Sequence, residues 1–147
     1  MVRYLALIAV LFTASAAEAT AREEISGPVT AQILRVIDGD TILVAARPWP
    51  QQTVEVYVRI RGIDAPELKS KCHSVRQAGG DARQALEALT QASGTIQLVN
   101  ISGDKYFGRI VADVVLPDGR NAGSDLLLTG LVEPYDGGRK LAPVCHD

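Results

Sequence analysis

From Val54 to Arg61 the chain alternates strictly. Val54, Val56, Val58 and Ile60 fall on one face, and Glu55, Tyr57, Arg59 and Arg61 on the other, which is the two-residue period of a half-buried strand. A strand is expected over Thr53 to Arg61, with Arg59 pointing away from the packed side. Gly62 and Pro66 punctuate its exit, so Asp64 and Glu67 sit on a short rigid turn rather than inside a ladder. Upstream, Val29 to Ile37 and Asp40 to Ala46 form two further strands. Asp38-Gly39 between them is a strong hairpin signal, with positive φ expected in the turn. The second strand starts where the third ends, so a symmetric antiparallel register brings Asp40 beside Arg59 and hence near Asp64.

Glu23 to Pro28 has the composition of a flexible lead-in, and Arg47-Pro-Trp-Pro-Gln-Gln52 is a proline-broken loop. Leu68 to Gly80 is expected to be irregular. A helix is then predicted from Asp81, which with Gln84 makes a capping box; Ala82, Ala85, Leu86 and Leu89 supply its apolar stripe, and Gly94 ends it. Strand four follows at Thr95 to Asn100, a loop at Ser102 to Gly108, and strand five at Arg109 to Leu116. Pro117-Asp-Gly119 is a turn, and Ala122 to Thr129 a short second helix stopped by Gly130. Beyond Tyr135 the chain is glycine-rich and irregular, and nothing repeats. The pattern predicts a mainly β chain with helices (α+β). Five strands with one helix between strands three and four are compatible with a small, partly open Greek-key barrel of the oligonucleotide/oligosaccharide-binding (OB-fold) type.

Residues 1–21 are different material: Arg3, an apolar run from Leu5 to Phe12, then small residues with small-x-small sites at Ala17-Glu-Ala19 and Ala19-Thr-Ala21. This is the pattern of a secretory signal peptide. The run is well short of the roughly 20 residues of a membrane span, which disfavours the alternative of a retained anchor. No cysteine follows it, so a lipoprotein anchor is excluded. Residues 22–147 are expected to form a single domain that is secreted or periplasmic and has no membrane association after cleavage. The net charge of -2 does not announce a polyanionic partner. The basic residues are unevenly placed, however. Arg59, Arg61, Lys69, Lys71, Arg76 and Arg83 cluster around the acidic turn.

Three segments appear in order: Val36-Ile-Asp-Gly-Asp-Thr-Ile42, Arg59 with Asp64-Ala-Pro-Glu67, and Asp104-Lys-Tyr-Phe-Gly-Arg109. In order and spacing they resemble the staphylococcal nuclease (thermonuclease) family, and the resemblance extends from about Thr30 to Tyr135. It implies that Asp40 and Asp64 bind a calcium ion through their carboxylates, with the main-chain oxygen of Ala65 as a further ligand. It also implies that Glu67 is the general base or orients the attacking water, and that Arg59 and Arg109 grip the scissile phosphate. Tyr106 and Tyr135 would stack on a base or flank the phosphate. The activity implied is that of a monomeric endonuclease on single-stranded DNA or RNA, breaking the bond from phosphorus to the 5′ oxygen and leaving 3′-phosphates.

The chemistry of these residue types agrees. A phosphodiester repels nucleophiles and gathers charge on its non-bridging oxygens in the transition state, which calls for a hard cation and fixed donors. Oxygen ligands select calcium or magnesium over zinc or copper, and guanidinium forks suit phosphate oxygens where lysine does not. Arg59 and Arg61 compete for one role, and the spacing to Asp64 within the family favours Arg59. Three departures stand out. Phe107 is one residue more than the family's tyrosine-to-Gly-Arg link, so the loop bulges or Arg109 is displaced. The family's threonine after the second aspartate is Ala65 here, and a third helix beyond Tyr135 is not expected. Cys72 and Cys145 are most simply one disulfide of an exported protein, tying the tail to the loop after Glu67. The alternative is a zinc site using Cys72-His73 and Cys145-His146, whose adjacent pairs reach one tetrahedral metal with difficulty. A non-catalytic barrel binding oligonucleotide or oligosaccharide, and a glycosidase using Glu67 with an aspartate, are the competing functions.

Overall fold

The computed structural model describes residues 23–91 and 94–146. The expected signal peptide falls on residues 1–21, outside the described residues. Strands β1 (Glu24–Ile25), β2 (Val29–Val36), β3 (Thr41–Arg47), β4 (Val54–Ile60) and β5 (Ile63–Asp64) precede helix α1 (His73–Thr90). After it come β6 (Thr95–Gly103), β7 (Arg109–Val115), helix α2 (Ala122–Thr129) and β8 (Glu133–Pro134).

Strands β2, β3 and β4 form an antiparallel meander. β4 then pairs in parallel with β7, β7 antiparallel with β6, and β6 antiparallel with β2. The five strands close on themselves, as an OB-type barrel requires. The closure leaves the short β1 as an appendage on β6, so the lead-in expected to be irregular is partly a strand. Alternation does the work predicted for it except at the start of β4, where Val54 is exposed because the strand has not yet entered the core. Ile42 and Val44 of β3 and Val58 and Ile60 of β4 have at most 1% of their surface exposed, and meet Ile96, Leu98 and Val114 in the core.

Helix α1 departs from expectation. It starts at His73 with Cys72 as its N-cap, so Gly79, Gly80 and Asp81 lie inside it and Asp81 caps nothing. Its buried residues, Val75, Gly79, Ala82, Leu86 and Thr90, recur every three or four positions and make a single stripe. A mid-helix glycine costs about 1 kcal/mol relative to alanine, and here it is required. A Cβ on Gly79 would lie 2.7 Å from the carbonyl oxygen of Pro66. Gly39 is governed by the same contact rather than by positive φ, which it does not adopt: its Cβ would meet those of Ala82 at 2.6 Å and Ala65 at 2.8 Å. The helix therefore crosses both acidic turns at backbone distance.

Helix α2 matches its predicted bounds. The side chain of Asn121 accepts from the Ser124 amide at 3.0 Å, and Gly130 ends the helix with φ of 71°. It delivers β8, which pairs with β5, and the Tyr135 amide donates to the Gly62 carbonyl at 2.9 Å. The irregular tail thereby begins against the acidic turn. It is tied down again by a disulfide between Cys72 and Cys145, which settles those cysteines against the zinc alternative.

Candidate active site

The register of β3 on β4 opposes Thr41 to Arg59, and the Ile60 amide donates to the Asp40 carbonyl at 2.8 Å. Asp40 is thus pinned at the strand end where the third strand leaves the barrel. Its carboxylate is nearly fully buried and accepts three hydrogen bonds, which leaves Oδ2 a free lone pair. Oδ1 accepts from the Thr41 hydroxyl at 2.8 Å and from Arg59 Nη1 at 2.9 Å, and Oδ2 accepts from the Ala65 amide at 2.8 Å. Arg59 Nη2 donates to Asp64 Oδ1 at 2.6 Å and to the Ile63 carbonyl at 3.3 Å. One guanidinium therefore joins two carboxylates that are distant in sequence. Arg59 does face away from the core, but a cleft covers it and leaves its side chain 14% exposed.

The charges shift one another. Burial pulls the Arg59 pKa down, yet the charge of Asp40 and the hydrogen bond and charge of Asp64 outweigh it, so the guanidinium sits above its ordinary value. Asp38, whose Oδ1 accepts from the Asp40 amide at 3.1 Å, is raised above the usual carboxylate range by burial first and by the charge of Asp40 second.

The cleft has a volume of about 1270 Å³, and Asp40, Arg59, Glu67, Arg109, Tyr106 and Tyr135 all contribute to its lining. Glu67 stands at its lip with its side chain 68% exposed, open to water. Arg109 lines the cleft from the start of β7. In the preceding loop Gly108 takes φ of 80° and Phe107 projects fully into solvent, and Arg109 pairs opposite Tyr57. Its Nε donates to the Asp104 carboxylate, and its guanidinium lies 4.6 Å from the Tyr106 ring centroid. Tyr135 places its ring 5.6 Å from the Arg59 guanidinium and donates its hydroxyl to the Gly138 carbonyl at 2.9 Å.

Arg59 and Arg61 both line the cleft but have different partners. Arg61 Nη2 donates to the Asn100 carbonyl at 2.6 Å, the Ser102 hydroxyl at 2.9 Å and the Val111 carbonyl at 3.4 Å. These bonds hold the bulge of β6, where Asn100 has φ of 51°, while the buried Arg61 Nε has no hydrogen-bond partner. Two residues escaped the sequence reasoning. Asp104 orients Arg109, and Lys140 Nζ reaches Asp64 Oδ1 at 2.6 Å and Glu67 Oε1 at 3.4 Å. Burial lowers the Lys140 pKa, but its hydrogen bond to Asp64 and that residue's charge more than compensate, leaving it above the ordinary value.

No three His, Cys, Asp or Glu side chains among the described residues converge as a ready-made metal cage. The donor set nonetheless suits a hard cation of the calcium type. Asp40 and Asp64 reach a common guanidinium, and main-chain oxygens and water can complete a coordination sphere of oxygens.

A family model described as Staphylococcal nuclease homologue matches residues 57–140. An "Uncharacterized endonuclease" of Escherichia coli is 30% identical over 105 residues, covering 71% of this chain and 60% of the relative. Its counterpart in Escherichia coli O157:H7 matches to the same extent. The chain thus spans 60% of the length of the curated relatives it matches. Asp40 lies before the stretch matched by the family model, yet the fold delivers it to Arg59 and Asp64. With this barrel, this cleft and these matches, the chain belongs to the staphylococcal nuclease homologue family.

Proposed function

We propose that the protein is an exported, calcium-dependent endonuclease that hydrolyses DNA and RNA to 3′-phosphates and acts as a monomer. The observation that carries this is the bridging of Asp40 and Asp64 by Arg59, with Glu67 and Arg109 on the same cleft. The relatives named as endonucleases and the family match support nuclease chemistry. Export is supported by the disulfide, which persists in oxidising compartments, and by the signal-peptide pattern of residues 1–21 as a single leader before one domain of residues 22–147. No described helix is long and apolar enough to cross a membrane.

Asp40 and Asp64, with the main-chain oxygen of Ala65, would hold the calcium ion, which when bound supplies Lewis-acid neutralisation of phosphate charge. The protein's own residues do the rest. Arg59 is oriented before substrate arrives, because two carboxylates fix its plane, and it presents its remaining N–H groups to a phosphate oxygen. Arg109, held by Asp104 and Tyr106, supplies a second guanidinium across the cleft. Glu67 takes a proton from water as the water oxygen attacks phosphorus. The bond from phosphorus to the 5′ oxygen breaks, and that oxygen takes its proton from solvent. Tyr106 and Tyr135 offer ring faces to an unstacked base.

Incubating the purified protein with single-stranded DNA in calcium, and in parallel with a chelator, tests this. Cleavage to 3′-phosphate ends that vanishes with the chelator is expected. The alternative of a non-catalytic oligonucleotide-binding barrel is favoured by one observation: both metal-binding candidates already carry cationic partners. Binding without calcium-stimulated cleavage would select it.

A further inference from the structure

We infer that Lys140 is an internal cation of the active site that competes with the divalent ion for Asp64 and Glu67, and that the Cys72–Cys145 disulfide holds it there. The inference rests on the proposed metal site. Its starting point is the position of the ammonium, 2.6 Å from Asp64 Oδ1 and 3.4 Å from Glu67 Oε1. These are the acid proposed as a metal ligand and the acid proposed as the base. A divalent ion and an ammonium draw on the same carboxylate charge, so each weakens the other's hold.

The tail is built to keep the ammonium in reach. On its upstream side the Tyr135 amide is fixed to the Gly62 carbonyl, and the Tyr135 hydroxyl to the Gly138 carbonyl, both at 2.9 Å. Gly137 and Gly138 take φ of 103° and 91°, a conformation open to glycine that turns the chain back over the acidic turn. On its downstream side Cys145 is bonded to Cys72, with Cα atoms 5.7 Å apart, and the His146 amide donates to the Ser74 hydroxyl at 3.3 Å. Cys72 lies just beyond the loop carrying Glu67. The disulfide therefore fastens the segment bearing the ammonium to the segment bearing its acceptors, and keeps its effective concentration high.

Displacement remains possible. The Lys140 side chain is 42% exposed, so its ammonium can swing into water at modest cost. An Arg59-like partner, buried and gripped by two acids, could not. Lys140 thus sets an affinity threshold for the metal without closing the site to it.

The test is calcium binding by titration calorimetry on the purified, oxidised protein without substrate. Lys140→Gln is expected to bind calcium roughly threefold to tenfold more tightly than wild type, the range expected from losing a partly exposed ion pair. Lys140→Arg is expected to stay near wild type. Reduction with dithiothreitol is expected to tighten calcium binding in wild type and to leave Lys140→Gln unchanged. Equal or weaker binding by Lys140→Gln overturns the competition while leaving the metal site standing. A reductive shift of the same size in both proteins overturns the tether. If neither wild type nor Lys140→Gln binds calcium, the metal site fails and the inference fails with it.

Discussion

The acidic turn and the tail both reach the cleft, and they are held there by different means. Asp40 and Arg59 are positioned by the β3–β4 register, with main-chain hydrogen bonds on both sides and the buried residues Ile42, Val58 and Ile60 around them. Tyr135 and Lys140 are positioned by two-residue strands, two glycine turns and one covalent link. The first geometry cannot be lost without opening the barrel. The second can be lost by changing one bond, so the tail is where this site is adjustable and the turn is where it is fixed.

Glu67 belongs to the turn yet is touched by the tail, and its replacement should have the largest effect of all. Glu67→Gln is expected to lower kcat by about 10²- to 10⁴-fold, the range for removal of a general base, with thermal stability unchanged because the side chain is exposed. Steady-state kinetics beside a melting curve check both halves.

Breaking the tail's tether should cost stability and, beyond its effect on calcium affinity, leave kcat at saturating calcium unchanged. For Cys72→Ser with Cys145→Ser, a sequence separation of 73 gives about 4 kcal/mol in the chain-entropy account. Chemical denaturation measures it, and amide exchange should show the loss of protection confined to the tail and the start of α1. Next is Asp40→Ala, which leaves the Arg59 guanidinium buried with Asp64 as its remaining acid. It is expected to destabilise by about 3 kcal/mol and to weaken calcium binding. Asp64→Ala should be milder, since its side chain is 23% exposed against 4% for Asp40. An equal cost at the two positions would remove the distinction between a buried anchor and a partly exposed partner. The smallest of these effects is expected from Gly39→Ala, about 1–3 kcal/mol from overpacking against Ala65 and Ala82. Urea unfolding reads it.

The turn was legible in the sequence because its geometry follows from alternation. Once β3 and β4 are antiparallel neighbours, with Asp38-Gly39 turning the chain into β3, pairing arithmetic places Asp40 next to Arg59, and their side chains meet at 2.9 Å. Helix α2 is legible because its signals are local, whereas the barrel, closed by the distant pairings β2–β6 and β4–β7, is legible through the family motifs. The start of α1 was not, because Gly79-Gly80 reads as a helix breaker when the nearby Pro66 carbonyl is out of view. Gly39 reads as a turn residue of positive φ, whereas the fold needs its small size. Lys140 had no periodic signal at all. Only the pairing of Cys72 with Cys145 hinted that residues near the end return to the loop after Glu67. The role of Arg61 was equally hidden, because it depends on a bulge in β6, a strand far along the chain.

The two glycines in the middle of α1 carry unequal information. A side chain at position 79 would strike the Pro66 carbonyl, whereas nothing lies within 4 Å of one at position 80. A randomised library sorted for folded protein should return a single letter at the first position and a broad alphabet at the second, with alanine enriched there for its helix preference. Identical neighbours in a sequence can thus differ completely in what the fold demands of them.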